Sequence, residues 1–400
     1  MPPNAHSNEG SCGPAAGTSL PRSLLFVLAL CAGASVANLY YGQPLLALIS
    51  RTFDASAHIG WVAVAPMVGY TLSLVSVLPL GDLVDRRRLS VILACIMALG
   101  AFSCAMAPSL TLLAVACGVL GFGAVITQIL LPMSADLVSD SQRARALGIV
   151  FSGVLAGILV ARTLSGFIGQ AYGWRLMFAV AGLVALGLAL TLAKALPRSA
   201  PKVRQSYFSL FTSMWQMLKR HAALRNACLI QGCLFGVFTA FWSVLALLLA
   251  NPPFQMGAAA AGSFGIVGVA GVIAANLSGR IIERFGSAHG RLFGIGCCLL
   301  AYVVFAADLS LRGLVVGVTL MDFGLSIANV ASQNTILGLE PAARSRLNTL
   351  YVTSIFLGGS LGASLASLGW ANGGWGAVCA LGLALSLIAL MVHMLGQRRN

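Results

Sequence analysis

Two ionisable side chains, Arg162 and Asp322, lie deep inside long apolar stretches of the sequence. A charged group at the centre of a bilayer costs at least about 2.5–3.5 kcal/mol, so such residues are candidates for function by default. Three kinds of chemistry are open to them: an ion pair between two parts of the chain, an anchor for a carboxylate at Arg162, and a protonatable carrier at Asp322. The alternative is a buried pair that only fixes packing.

A polar stripe and an aromatic stripe recur at helical spacing on two of the apolar stretches. Members at i, i+4, i+7 and i+11 share one face of a helix. The polar stripe consists of Asp322, Ser326, Asn329 and Gln333, and the aromatic stripe consists of Gln231, Phe235, Phe238 and Trp242. A polar face should meet water, a substrate or another helix, and an aromatic face suits an amphipathic ligand unless it serves ordinary packing. The remaining candidate binding residues are Asn38, Tyr41, Gln43 and Gln128.

The elements that position these residues must be membrane-spanning helices. Hydrophobic residues make up 58% of the chain and charged residues only 8%, whereas soluble domains carry roughly a quarter charged residues. Most of the apolar runs are about 20 residues or longer, which is the length that crosses a bilayer as a helix. They lack the period-2 alternation of a membrane β-barrel. The sequence therefore predicts an all-α integral membrane protein whose main surroundings are a lipid bilayer.

We predict twelve transmembrane helices, at about 22–50, 58–80, 89–107, 109–138, 145–170, 174–196, 225–250, 257–282, 291–307, 313–338, 347–370 and 374–395. An even number of spans places both termini on one side of the membrane, and the distribution of Lys and Arg indicates which side. Of the 24 basic residues, 20 fall on the side of the termini. We therefore expect a multi-pass protein of the cell inner (cytoplasmic) membrane with both termini in the cytoplasm. The basic residues are spread over short loops, which argues against nucleic acid as a partner.

The predicted organisation is two six-helix bundles joined by a linker. It comprises a disordered cytoplasmic tail at 1–21, an N-terminal bundle at 22–196, a cytoplasmic linker at 197–224, a C-terminal bundle at 225–395 and a cytoplasmic tail at 396–400. The linker is basic and contains a weakly amphipathic segment, which we expect along the membrane surface.

Three signatures recur about 200 residues apart, which predicts that the two bundles are pseudo-symmetric copies. The pattern Gly-x-apolar-apolar-acid-Arg occurs at 81–86 and at 279–284, an acid followed by two Arg occurs after spans 4 and 10, and Gly-Trp precedes spans 6 and 12. A glycine lets neighbouring helices approach closely, and an acid can pair with Arg of a neighbouring loop. We interpret these charges as a cytoplasmic gate; the alternative is a solvated cluster that only sets topology. The predicted gate residues are Gly81, Asp85, Arg86, Asp136, Arg143, Arg145, Gly279, Glu283, Arg284, Glu340, Arg344 and Arg346.

The sequence resembles the major facilitator superfamily over nearly its whole length. Segment 81–88 looks like that family's signature between helices 2 and 3, and segments 38–44 and 157–166 look like a bacterial branch grouped with drug:proton antiporters. The resemblance implies two six-helix bundles around a central cavity, alternating access, and a cavity lined by helices 1, 4, 7 and 10. The chain departs from the antiporter pattern at Cys117, where an Arg is usual, and at Ala161-Arg162, where Gly-Pro is usual.

These observations favour a secondary active transporter that moves a small amphipathic or anionic molecule by alternating access, with export linked to protons as the leading hypothesis. An importer of an organic anion anchored by Arg162 is the alternative within the class. A non-transporting membrane sensor or receptor, or a membrane enzyme, are alternatives from other classes, and neither a signalling domain nor a catalytic cluster supports them. We expect a monomer that is not an enzyme, with no metal and no cofactor, and with the proton gradient as its energy source.

Overall fold

The structure is a computed structural model that describes residues 22–54, 59–139, 142–197, 207–340 and 343–397. These residues form α-helices joined by short turns and contain no β-strand, so the all-α prediction is confirmed. Short 3-10 turns occupy Gln43–Leu45 and Leu78–Asp82. The helices are α1 (Arg22–Ala37), α2 (Leu46–Phe53), α3 (Gly60–Ser76), α4 (Arg86–Ala105), α5 (Leu110–Gly123), α6 (Ile126–Asp136), α7 (Arg143–Tyr172), α8 (Trp174–Ala195), α9 (Tyr207–Arg220), α10 (Ala222–Ala250), α11 (Ala258–Val267), α12 (Val269–Ala307), α13 (Leu311–Leu337) and α14 (Arg344–Gln397).

The described helices are consistent with the twelve predicted spans once their breaks are taken into account. With α5 and α6 taken together, eight segments of the described chain are long and apolar enough to cross a membrane, and three shorter apolar helices accompany them. The pairs α1–α2 and α5–α6 each make one interrupted span, and α11 with the first part of α12 makes another. The helices α12 and α14 bend sharply at Gly286 and Gly374, so each contributes to two successive spans. The helix α9 is not counted as a span.

The helices pack as two halves that meet along a central seam. In the first half α4 packs on α8, α1 on α7 and α3 on α5, and in the second half α10 packs on α14 and α12 on α13. The two most extensive contacts across the seam are those of α7 with α11 and of α3 with α14. A Cβ atom at Gly166 of α7 would lie 2.5 Å from the carbonyl oxygen of Ala258. The close contact of α7 with α11 therefore depends on small residues at the seam.

The internal repeat is visible in the backbone, although one part of it differs from the expectation. Gly173 and Gly374 both have positive φ, 87° and 60°, and each directly precedes a Trp at a turn between two spans. By contrast, a Cβ atom at Gly81 or Gly279 would find no neighbour within 4 Å, so the expected close approach of helices there is not made. The second half bends instead at Gly286, where φ is 83°.

Between the halves, α9 forms most of the described part of the linker. It packs on α10 and α14, with Met217 buried and Trp215 58% exposed, as an amphipathic helix requires. The next helix, α10, begins at Ala222, three residues before the predicted boundary. The predicted tail at 1–21, linker residues 198–206 and the last residues 398–400 lie outside the described residues.

Candidate substrate site

A cavity of about 990 Å³ lies between the two halves. Its lining extends from exposed Arg143 and Arg344 at the mouth to Arg162 at the inner end. Beyond Arg162 the seam is closed by α7 against α11 and by α3 against α14, where the hydroxyls of Thr71 and Ser360 lie 3.2 Å apart. In the part of the chain that the structure describes, the cavity therefore opens toward one face of the membrane helices.

Nine of the thirteen predicted binding residues line this cavity: Gln128, Arg162, Gln231, Phe235, Phe238, Asp322, Ser326, Asn329 and Gln333. The whole polar stripe of α13 is among them, as one helical face requires. One member also makes an interhelical hydrogen bond, since the Tyr351 hydroxyl donates to Asn329 Oδ1 at 2.8 Å. The lining also includes residues of α3, α7, α11 and α14, which belong to the predicted spans 2, 5, 8 and 11. It therefore extends beyond spans 1, 4, 7 and 10, which the resemblance implies.

Arg162 forms the inner end of the cavity and is held by residues from both halves. Its Nε donates to Gln43 Oε1 at 3.0 Å. Its guanidinium carbon lies 3.7 Å from the centroid of the Trp242 ring, 4.8 Å from that of Tyr40 and 5.5 Å from that of Phe238. A guanidinium over aromatic faces is stabilised by the quadrupoles of the rings. The side chain, only 3% exposed, therefore has a fixed position between the halves.

Asp322 lies close to Arg162 without forming an ion pair. No nitrogen of Arg162 comes within 4.0 Å of an Asp322 carboxylate oxygen in the described structure. Both side chains pack against the same broken helix: a Cβ atom at Gly265 would lie 3.1 Å from Arg162 Cβ, and one at Gly268 would lie 3.2 Å from Asp322 Oδ2. Three residues correspond to about 4.5 Å along a helix, so the two side chains pack at neighbouring levels of that helix.

Several buried polar atoms around Arg162 and Asp322 lack a hydrogen-bond partner among the described residues. They are Arg162 Nη2, Trp242 Nε1 and Asp322 Oδ1. A buried polar atom without a partner costs about 1–3 kcal/mol, and more when it is charged. A site with such atoms on its walls is therefore ready to bind a ligand that satisfies them. No group of three His, Cys, Asp or Glu side chains that could hold a metal ion occurs among the described residues.

An aromatic wall beside the polar stripe includes two residues that were not predicted. Tyr70 of α3 and Phe356 of α14 have ring centroids 4.3 Å apart, and Phe356 lies 5.2 Å from Phe235. The Tyr70 hydroxyl accepts a hydrogen bond from Gln128 Nε2 at 3.1 Å. A tyrosine in the middle of span 2 was a signal for this role, whereas a single phenylalanine in span 11 gave none.

Asn38 and Tyr41 lie outside the cavity lining, contrary to the expectation. The prediction assumed a continuous helix, but α1 ends at Ala37 and residues 38–42 form turns. Asn38 Nδ2 donates to the Ala34 carbonyl of its own helix, and the Tyr41 carbonyl accepts a hydrogen bond from Ser165. The turn brings Tyr40 to the cavity instead. Gln43 and Trp242 line a small pocket of about 10 Å³ next to Arg162.

In the first half, the predicted gate residues form a compact hydrogen-bonded group at the mouth. Arg86 donates through Nε to the Gly81 carbonyl and through Nη1 to Asp136 Oδ2, both at 2.9 Å. Asp85 caps α4 by accepting from the backbone N–H of Arg87 at 3.0 Å. Arg143 and Arg145 are exposed at the start of α7. These contacts fasten the loop after α3 to the end of α6 within one half.

In the second half, the predicted gate residues do not repeat this arrangement. Glu340 lies 3.5 Å from His221 Nε2, and Arg346 donates to Ser213 Oγ at 2.6 Å, so both contact the linker region around α9. Arg344 Nε donates to the Leu337 carbonyl at 3.1 Å. Glu283 is exposed, and Arg284 lies over the Phe285 ring. Among the described residues, the linker region contacts the acid and the Arg that would correspond to the first half's pair.

The sequence of residues 25–311 matches the family model of the Major Facilitator Superfamily. The chain belongs to this superfamily. Within it, the chain is 34% identical to an uncharacterized transporter, YgaY, of Escherichia coli O157:H7, over 95% of this chain and 97% of that protein. This Major Facilitator Superfamily member is accordingly a multi-pass membrane transporter. It is also 34% identical to multidrug resistance protein Stp of Mycobacterium tuberculosis, over 33% of this chain and 25% of that protein.

A solved structure shares the transporter's fold. A bacterial homologue of the human lysosomal transporter Spinster, in an inward-facing and unoccupied conformation, superposes with a TM-score of 0.75. The alignment covers 95% of this chain and 98% of the homologue at 17% sequence identity, which supports the fold alone. The predicted family and fold are confirmed.

Proposed function

We propose that this transporter is a secondary active carrier that exports a small amphipathic organic acid across the cytoplasmic membrane in exchange for protons. The observation that carries the proposal is the position of Arg162. A buried guanidinium forms the inner end of a cavity that opens at one face and is lined by both halves. A cation in that position can hold an acidic group until the opposite face opens.

Alternating access requires the closed seam to open while the mouth closes. The contact of α7 with α11 rests on glycines, with Gly166 and Gly262 at the crossing point, and such surfaces can slide or separate without unpacking large side chains. At the mouth, Arg143 faces Arg344 and Arg346 across the cavity. The mouth charges of both halves have acidic neighbours, Asp136 and Glu340, with which new pairs can form on closure.

The proton is assigned to Asp322 because it is a buried acid on the cavity wall of the second half. Its carboxylate faces the same broken helix as Arg162, so its charge and the charge of a bound substrate influence each other. Direct ATP drive has no sequence support, since the chain lacks a P-loop pattern. In our proposal, proton binding at Asp322 is coupled to substrate binding at Arg162 through these charges.

Orientation and direction rest on sequence arguments. The excess of Lys and Arg on the side of the termini favours a cytoplasmic mouth, because basic loops are retained inside. Export is favoured by the partial similarity to a protein named for multidrug resistance. An importer of an organic anion would use the same Arg162 anchor and would differ in the direction of the gradient that accelerates transport.

The proposal is tested in proteoliposomes with a fluorescent naphthalenesulfonate as the probe, because this amphipathic anion does not cross lipid unaided. We expect a proton gradient to accelerate movement of the probe out of the cytoplasmic-side compartment, and Arg162→Ala and Asp322→Asn to abolish the acceleration. The matched controls are Arg312→Ala and Asp308→Asn, which change exposed charges outside the cavity. Full gradient-driven transport by both site variants would contradict the proposed site.

A further inference from the structure

We propose that the molecule carried is dipolar: an acidic group binds at Arg162, a cationic group binds at Asp322, and a flat apolar body lies against the aromatic wall. This inference rests on the proposed function, because it names the substrate class of the same site. The proposed function requires only an anion that binds Arg162. The dipolar substrate has a second, cationic group that binds Asp322.

The charges of Arg162 and Asp322 do not neutralise each other. Arg162 is 3% exposed and Asp322 is 6% exposed, yet no ion pair within 4.0 Å joins them in the described structure. Two opposite charges buried near each other would ordinarily be expected to meet, because each is costly without a partner. The gap between them is the space that a ligand with two opposite charges fills.

The buried polar atoms without hydrogen-bond partners in the described part of the site separate into donors and an acceptor. On the side of Arg162 the atoms without partners among the described residues are donors, Arg162 Nη2 and Trp242 Nε1. On the other side it is an acceptor, Asp322 Oδ1. Donors bind a carboxylate or another acid, and acceptors bind an ammonium group. The walls therefore complement a molecule with one end of each kind.

A dipolar molecule has to bridge the distance between Arg162 and Asp322. Arg162 Cβ and Asp322 Oδ2 pack on Gly265 and Gly268, which are three residues apart, and the Arg162 guanidinium extends from there to the cavity wall. Each charge-assisted hydrogen bond adds about 2.7–2.9 Å between heavy atoms. Because no guanidinium nitrogen lies within 4.0 Å of the Asp322 carboxylate in the described structure, a compound whose acidic and ammonium groups are a few bonds apart fits between the two side chains.

The aromatic rings that line the cavity provide a surface for the apolar body of the molecule. Phe235, Phe238, Phe356 and Tyr70 line the cavity as a connected group of rings, with neighbouring centroids 4.3–5.5 Å apart. Ring groups of this kind bind flat apolar or aromatic moieties. The cavity volume of about 990 Å³ is at the upper end of ordinary ligand sites, about 300–1,000 Å³, so the body can be larger than a single amino-acid side chain.

Ligands with a single charge fit the site less well. A simple anion at Arg162 leaves a second negative charge, Asp322, close by and without a partner. A simple cation meets an aromatic cage of Tyr40, Phe238 and Trp242 that is already occupied by the guanidinium of Arg162. A dipolar ligand also joins α7 of the first half to α13 of the second, so its binding energy differs between open and closed states, as a carrier requires.

Three probes that share a phenyl ring and a two-carbon chain test the inference: L-phenylalanine, 3-phenylpropanoate and 2-phenylethylamine. Their binding to the transporter in lipid nanodiscs is measured by isothermal titration. We expect phenylalanine to bind at least tenfold more tightly than either singly charged probe. We also expect Arg162→Gln to lower its affinity to that of phenylethylamine, and Asp322→Asn to lower it to that of phenylpropanoate.

The affinities of the three probes for the parent protein are sufficient to test the dipolar class, so the test does not depend on whether a variant folds. Arg312→Gln and Asp308→Asn are the matched controls, since they remove exposed charges outside the cavity and should leave all three affinities unchanged. Equal affinity for phenylalanine and phenylpropanoate, or no binding of any probe, overturns the dipolar class. If the naphthalenesulfonate is nevertheless transported under a proton gradient, the carrier function stands without it, and if that transport also fails, both proposals fall.

Discussion

The guanidinium carbon of Arg162 lies 3.7 Å from the centroid of the Trp242 ring, and this contact joins α7 of the first half to α10 of the second. Both side chains are buried, with 3% and 2% exposure. A desolvated cation–π contact of this kind stabilises by about 2 kcal/mol or more. The same contact thus presents the cation to the cavity and holds the closed end of the seam together.

Removing the Trp242 ring should favour the opposite conformation. We expect Trp242→Leu to raise the population open at the far face by about thirtyfold, the factor that corresponds to about 2 kcal/mol, while Trp242→Phe has a smaller effect. The measurement is the rate at which an impermeant thiol reagent labels Ala246→Cys, beside the small pocket, in a variant without native cysteines. The control is Trp61→Leu, whose ring is 67% exposed. An unchanged labelling rate in Trp242→Leu would count against the contact as a closing element.

Gln43 should matter because its Oε1 accepts a hydrogen bond from Arg162 Nε at 3.0 Å. A carboxylate in its place would pair with the guanidinium and compete with an acidic substrate. We therefore expect Gln43→Glu to weaken binding of the naphthalenesulfonate by roughly tenfold or more, and Gln43→Leu to weaken it less. Titration of the probe into each variant checks the order. Equal losses in the two variants would show that the added charge is irrelevant.

Gly268 is expected to accommodate a side chain poorly, since a Cβ atom there would lie 3.0 Å from the Gly265 carbonyl oxygen and 3.2 Å from Asp322 Oδ2. Overpacking of this kind costs typically about 1–3 kcal/mol and would displace the carboxylate. We expect Gly268→Val to lower gradient-driven transport at least tenfold while the protein is still inserted in the membrane. The matched control is Gly296→Val on α12, where a Cβ atom meets nothing within 4 Å. Comparable transport by both variants would remove the argument that Gly268 positions Asp322.

The linker helix α9 should loosen when its contact with the second half is removed. Arg346 Nη1 donates to Ser213 Oγ at 2.6 Å, and hydrogen bonds to charged groups contribute about 1.5–3 kcal/mol, less where solvent reaches them. We expect Arg346→Ala and Ser213→Ala each to accelerate amide hydrogen exchange in α9 severalfold, and the double variant to add little. Arg284→Ala, an exposed arginine on α12, is the control. Additive effects would mean that the two side chains act independently.

A variant that neutralises both site charges separates transport from packing. If Arg162 and Asp322 only balanced each other electrically, Arg162→Gln with Asp322→Asn should regain the transport that each single change removes. We expect no recovery, because each group binds its own ligand and no ion pair joins them in the described structure. Gradient-driven transport of the naphthalenesulfonate by the double variant is the measurement. Near-parental transport would favour a structural pair.

Much of the fold and part of the site could be predicted because both follow from local patterns. Asp322 and Gln333 share a face since α13 is regular, so helical spacing alone was sufficient. Tyr41 was chosen in place of Tyr40 because a continuous helical spacing was assumed, although Pro44 indicates a kink and the helix already ends at Ala37. Phe356 reaches Tyr70 only through packing of α3 on α14, which periodicity does not encode.

The gate illustrates the same division between pattern and packing. Arg86 and Asp136 pair as the sequence pattern indicates. In the second half Glu340 and Arg346 contact the linker region instead, at His221 and Ser213, because α9 packs against the end of α14. Contacts that depend on a linker between two repeats cannot be read from the repeats themselves.

The central claim is that the cavity between the halves opens to alternating faces, and spin-label distances measure this most directly. One pair of labels is placed at the mouth, at Leu147 and Asn348, and one at the closed end, at Tyr172 and Gln255, which are both exposed. In liposomes with the naphthalenesulfonate and a proton gradient, we expect the mouth distance to shorten as the closed-end distance lengthens. Distances that stay fixed at both ends under all gradients would contradict the account.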